Sequence, residues 1–168
     1  MKTLMCRTVT CRALIGLLVA SGCLVAQPTQ EAEVRSLMAD FIKAFNNLDW
    51  PAFRKCWVDH PVLFHPSVLQ NPTGKRIDDL PGFEDSWRGQ FDRTRESAGQ
   101  RGVTGPPFQN IVPKDLRVDF PGPNVAVVTF HLGPNNGFIG RRMFVVAKTA
   151  DGWKITHLHA SNLSLAPN

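Results

Sequence analysis

No tyrosine occurs anywhere in the 168 residues, and cysteine occurs only four times. Without tyrosine, no site on this chain can use a phenol as an acid or as a hydrogen-bond donor. Cys6, Cys11 and Cys23 fall in the N-terminal segment, which leaves Cys56 alone in the rest of the chain. An internal disulfide is thereby excluded, and the fold must rest on its hydrophobic core. A lone cysteine in an apolar helical setting reads as a small buried hydrophobe. No stripe of lysine and arginine with interleaved aromatics is present, so no nucleic-acid partner is expected. No apolar run is long enough for a comfortable membrane span. A phosphate-cradling glycine loop, a Ser/His/Asp ordering and a carboxylate pair at a telling spacing are also lacking, and no cofactor is expected.

What is present begins with a basic and apolar N-terminus. Lys2, Arg7 and Arg12 precede the uncharged apolar run Ala13–Leu18 and a zone of small residues. That pattern predicts an export signal over residues 1–26, with a single domain over 27–168. Cleavage after Ala26 is one reading. The other is a lipobox at Val19-Ala20-Ser21-Gly22-Cys23, which would leave Cys23 as a lipid anchor. Either way the protein is expected outside the cytoplasm, periplasmic or secreted. Residues 1–26 hold three of the 19 basic residues and none of the 14 acidic ones, so the whole-chain charge of +5 overstates the domain's basic character.

Along the domain, Val34, Leu37, Met38, Phe41, Ile42, Phe45 and Leu48 recur at helical spacing and predict a helix over 31–48. Asp49 and Pro51 suit the start of a short second helix carrying Phe53, Cys56 and Trp57 and ending by His60. Val62–His65 reads as a short strand ended by Pro66. A third helix is expected from Pro81 to about Ser97, with Phe83, Trp87 and Phe91 on one face. Residues 99–113 read as a loop, and four strands come after it, over 115–120, 125–132, 138–149 and 153–163. Helices segregated before a run of antiparallel strands predict an α+β fold in which a curved sheet wraps the helices. In the last strand, alternation puts His157 and His159 on the same side as Trp153, Ile155 and Ser161.

Three stretches of this sequence carry a family resemblance: AFNNLDWPAFRKCW (44–57), DHPVLFHP (59–66) and DGWKITHLHAS (151–161). With the element order, they resemble the nuclear-transport-factor-2-like superfamily, in particular the SnoaL-like domains and the association domain of calcium/calmodulin-dependent kinase. The resemblance implies a cone-shaped barrel: three helices in the N-terminal half, wrapped by a strongly curved, mostly antiparallel sheet, with a pocket at one end. It does not imply one reaction, because such folds host many functions. Ketosteroid isomerases of this superfamily place a catalytic acid before a proline at the end of the first strand; here that place is His65-Pro66. Their oxyanion hole needs a helix tyrosine and a protonated acid. The matching positions are Phe41 and the pair Arg141 and Arg142, so steroid isomerisation by that mechanism is excluded.

The candidate site therefore rests on other residues. His65 and His159 are the candidate catalytic groups, with His65 as a general base. One of Arg141 and Arg142 is expected to hold an anion, because a guanidinium offers a fixed fork of donors. The resemblance to the kinase association domains, which carry an arginine near this place, makes Arg142 the preferred one. His157, Phe41, Trp57, Phe64 and Trp87 complete the expected ligand contacts. Two histidines at i and i+2 can also share a metal with His65 or His131. No carboxylate or cysteine accompanies them at a recognisable spacing, so no metal ligand is assigned. The leading expectation is an exported domain that binds a small apolar or carboxylate-bearing molecule, with a cofactor-free isomerase, lyase or cyclase as its enzymatic version. The alternative is a non-catalytic module, and in either case the open sheet face is the expected homodimer surface.

Overall fold

The computed structural model describes residues 29–67, 71–135 and 137–165. The expected export signal and Cys23 lie outside these. Helix α1 spans Gln30–Asn47 and starts where the Thr29 hydroxyl accepts the Ala32 N–H. It buries Val34, Met38, Phe41 and Ala44 along one stripe, and it ends at Leu48, whose φ of 53° lies in the left-handed region. Asp49 then accepts the Ala52 N–H and opens α2, Trp50–Lys55, with Pro51 in its first turn.

The second helix is shorter than its sequence suggests. Cys56 caps it, and strand β1 runs over Trp57–Phe64. Two contacts draw the chain out of the helix there. The Ile155 N–H donates to the Cys56 carbonyl at 2.8 Å, and the Arg54 guanidinium gathers the carbonyls of Trp57, Val58 and Asp59. Helix α3, Leu80–Gln100, is capped by Asp79, which accepts the Gly82 N–H, and it buries Phe83, Trp87 and Phe91.

Strands β2 (Lys114–Gly122), β3 (Val125–Asn135), β4 (Phe138–Thr149) and β5 (Gly152–Ser164) complete the chain. The sheet order is β1-β5-β4-β3-β2, with β1 parallel to β5 and every other pair antiparallel. The fold is the expected α+β architecture, a curved open sheet with the helices against one face. On that face lie Ala126, Val128 and Phe130 of β3 and Phe144 and Val146 of β4, all buried. None of the described helices is long and apolar enough to cross a membrane.

Strand β5 departs from simple alternation. Ile155 pairs with Val146 and His157 pairs with Val145, so Thr156 is an extra residue in the ladder. Its hydroxyl donates to the Val145 carbonyl at 3.0 Å. A bulge of this kind shifts the side-chain phase by one. Trp153 and Ile155 are buried before it, Leu158 and Ala160 after it. His157 and His159 are thereby turned to the outer face and are exposed. The expectation that they share a face with Trp153 and Ile155 is corrected.

Phe53 joins the layers. It is fully buried and packs on Phe41, Phe45, Trp50, Trp57, Trp87 and Phe91 with ring centroids 5.0–6.0 Å apart. Truncating such a ring removes transfer free energy and leaves a cavity. Phe53→Ala is expected to lower the unfolding free energy by roughly 3–5 kcal/mol in urea titrations, against less than about 1.5 kcal/mol for a volume-conserving change such as Leu63→Met.

Candidate functional site

Between the inner sheet face, α1 and α3 lies a cavity of about 200 Å³. Its walls are mainly apolar, from Phe41, Ile42 and Phe45 of α1, Trp87 of α3, and Phe130, Leu132, Phe144, Leu158 and Ala160 of the sheet. Its polar lining comes from His65, Ser67, Gln90, Gln109 and Arg142. The loop after α3 closes one side through Gln109 and Ile111. Asn46 holds that loop. Its side chain accepts the Ile111 N–H at 2.8 Å and donates to the Ile111 carbonyl at 3.3 Å, while its own carbonyl accepts the Phe108 N–H at 2.9 Å.

Arg142 reaches the cavity because β4 keeps strict alternation. Gly140, Arg142, Phe144 and Val146 face inward, while Arg141 is exposed. The guanidinium lies over Gly140, where a Cβ would come within 3.2 Å of it. It donates to the carbonyls of Arg141 and Ser161 at 2.9 and 3.0 Å. No carboxylate pairs with it among the described residues. Burial lowers its pKa, yet an arginine remains protonated in a protein. A positive charge is therefore held in the wall with carbonyls as its partners.

His65 sits just past the end of β1, its ring 5.1 Å from that of Trp87. The Ser67 N–H donates to its Nδ1 at 3.1 Å, which in the neutral ring leaves the proton on Nε2. Burial first, then the charges of Arg142 and Arg93, push its pKa down to about 4. At neutral pH His65 is thus a neutral donor through Nε2–H and a poor base. Trp87 lines the cavity, and its Nε1 is buried without a partner among the described residues. Trp57 Nε1 is unpartnered too, but Trp57 belongs to the core and does not line the cavity. Arg142 and His65 are thus two donor groups with unused N–H capacity at one small apolar space. No aspartate or glutamate lines it.

Of the residues expected from sequence, His65, Arg142, Phe41 and Trp87 come together here. His157, His159 and Phe64 do not. Phe64 is exposed on the outer face, its ring 5.7 Å from that of His159. The bulge at Thr156 and the inward side of Leu63 at the end of β1 account for all three. Sequence reading missed Gly140, Gln90, Gln109 and the Asn46 clasp. Only Gly140 left a signal, a glycine two residues before an arginine inside a strand. No group of three or more metal-ligating side chains clusters among the described residues. A larger open groove of about 820 Å³ between α1 and the β4–β5 hairpin mixes Glu33, Asp40 and Asp49 with Lys43, Lys55, Lys148 and Lys154. It selects no charge, and Lys148 is already paired with Glu33 at 3.0 Å.

The fold and cavity define a cone-shaped α+β domain with a pocket at the open end of its sheet. A SnoaL-like domain profile matches residues 34–165, and the chain belongs to that NTF2-like family. Similar solved structures include a Streptomyces avermitilis protein provisionally named a dehydratase of the NTF2-like family, with TM-score 0.61, 19% identity, and 80% of this chain and 96% of that one covered. An NTF2-like protein from Pseudomonas putida KT2440 gives TM-score 0.59 at 18% identity, covering 78% and 84%. The association domain of C. elegans CaMKII gives 0.53 at 15% identity, covering 79% and 95%. At these identities the likeness shows the fold alone. No curated protein matches the chain.

The lowered pKa of His65 has a direct consequence. The folded state prefers the neutral ring, so this contribution to stability is complete above the ordinary pKa of 6.5 and is lost as the pH falls toward about 4. It amounts to about 3 kcal/mol at most. His65→Asn keeps an acceptor for the Ser67 N–H and does not titrate. Between pH 7 and 4 wild type is expected to lose more stability in urea titrations than His65→Asn does, and equal losses would contradict the assignment.

Proposed function

We propose that this domain is an exported receptor for a small, largely apolar molecule that carries an anionic group. The observation that carries the proposal is Arg142, a part-buried guanidinium whose partners are carbonyls and whose counter-charge is absent among the described residues. A buried cation is costly unless paired, and a ligand carboxylate would complete it through two parallel N–H···O bonds. His65 Nε2–H is a further donor for the same anionic group, and the Trp87 ring forms part of the wall. The aromatic wall would take the apolar body. The cavity's 200 Å³ lies below the roughly 300–1,000 Å³ of sites for drug-sized ligands, which favours a body about the size of one ring. Export rests on residues 1–26, whose basic and apolar pattern reads as a signal.

The same groups bear on catalysis. With His65 protonated at Nε2 and no lining carboxylate, the cavity offers donors to a carbonyl or enolate oxygen and no strong base to remove a proton. Binding is therefore the better reading than a cofactor-free isomerase or lyase. In a thermal-shift experiment on residues 27–168 at neutral pH, small aryl and alkyl carboxylates are expected to raise Tm. At a ligand concentration of 100 times Kd the stabilisation should be about 2.7 kcal/mol. The shift should vanish in Arg142→Ala, and uncharged amides of the same acids should give none. Equal shifts for acid and amide would overturn the proposal.

A second reading concerns assembly and rests on the outer sheet face. Phe64, Met143 and Leu163 are 39%, 44% and 47% exposed there, and Phe64, His159 and Met143 sit in one cross-strand row. An apolar row of this kind on an open sheet favours burial against a second copy. Sedimentation is expected to show a dimer that Met143→Glu converts to a monomer. A monomeric wild type at all accessible concentrations would contradict this reading.

A further inference from the structure

The cavity does not end at Arg142. The same guanidinium, together with Gln109, Ile111 and Leu132, also lines an open groove of about 610 Å³ at the ends of β3 and β4. The groove differs in chemistry from the cavity. Its polar lining is Asn110, Lys114, Asn162, Gln109 and Arg142, with two cations and no carboxylate. Lys114 has no ion pair among the described residues. The nearest acid in sequence, Asp115, is engaged by Arg117 at 3.1 Å. The backbone at this point is unusual. Asp115 has a φ of 53°, and the β2–β3 register shifts between Lys114 and Arg117. A left-handed conformation is uncommon for a residue other than glycine, and bulges at sheet edges re-aim the side chains beside them. Lys114 lies beyond this irregularity, at the end of β2, and lines the groove.

We infer that the groove is a second subsite, and that the ligand class is a dianion with an apolar side arm: a dicarboxylate bearing a ring or short branched chain. The side arm occupies the aromatic cavity. One carboxylate meets Arg142 at the junction, and the other lies in the groove against Lys114, Asn110 and Asn162. Lys114 pairs with His131, which pairs with Arg141. Arg142 is the next residue along β4, so the backbones of Lys114 and Arg142 lie two strand spacings and one residue apart, about 10 Å, and both residues line the groove. This rests on the anion-receptor reading above and extends it from one acid group to two.

The test compares 2-benzylsuccinate with 3-phenylpropionate, which is the same molecule without one acetate arm, by calorimetry on wild type and on Lys114→Ala. The diacid is expected to bind about tenfold more tightly to wild type, the scale of one charge-assisted contact in a part-exposed site. Lys114→Ala should erase that difference while leaving the 3-phenylpropionate affinity unchanged. Equal affinities for the two acids in wild type would overturn the second subsite and leave the receptor reading intact. So would an equal fall for both acids in Lys114→Ala. Failure of both acids to bind wild type would overturn both.

Discussion

A guanidinium lies inside the sheet wall, and much of the site's arrangement comes from accommodating it. Arg142 can lie flat because Gly140 offers no side chain beneath it. Its neighbours across the ladder, Phe130 and Ala160, leave a pocket rather than a filled core. Carbonyls of Arg141 and Ser161 satisfy part of its donor capacity, and no acid neutralises it among the described residues. The same charge helps to hold His65 neutral, which turns that ring from an expected base into a donor. One residue thus sets the sign of the cavity's charge and, together with burial, helps to keep His65 neutral.

The helical layer supplies what a sheet alone cannot. Phe53 knits α1, α2 and α3 together from the centre of an aromatic cluster, which fixes the distance between Phe41 and Trp87 on opposite cavity walls. Asn46, near the end of α1, reaches the loop after α3 and holds Gln109 and Ile111 as the remaining wall. Stability and site therefore share elements and two residues: Phe53 and Phe83 fill the core, while Phe41 and Trp87 face both core and cavity.

Much of this was legible in the sequence where a periodic pattern ran without interruption. The stripe of α1, the face of α3 and the alternation of β4 all run as their spacing implies, and that alternation turns Arg142 rather than Arg141 inward. Legibility failed where the backbone broke its own period. One extra residue, Thr156, turned His157 and His159 away from the cavity, and no composition signal marks a bulge stabilised by a threonine hydroxyl. Trp57 read as helical by its spacing from Phe53, but pairing with β5 captured it as a strand. The Asn46 clasp joins residues 65 positions apart, and a short-range pattern carries no trace of it. The family resemblance pointed to the fold; it left the chemistry to Arg142, His65 and Trp87, as expected for a scaffold that hosts many functions.

If Arg142 is kept for a ligand and not for the fold, the unliganded protein bears a cation that its stability does not need. Because no acid pairs with Arg142 among the described residues, replacing it by a well-packed apolar side chain strands no charge and is neutral or stabilising, whereas removing a structural hydrogen-bonding hub destabilises. The deciding quantity is the unfolding free energy of Arg142→Met against wild type in a buffer free of carboxylates and phosphate. The variant is expected to be as stable as wild type or more so. A loss of about 3 kcal/mol or more would show that the guanidinium is holding β4 to β5, and Arg142 would then belong to the fold and not to a ligand.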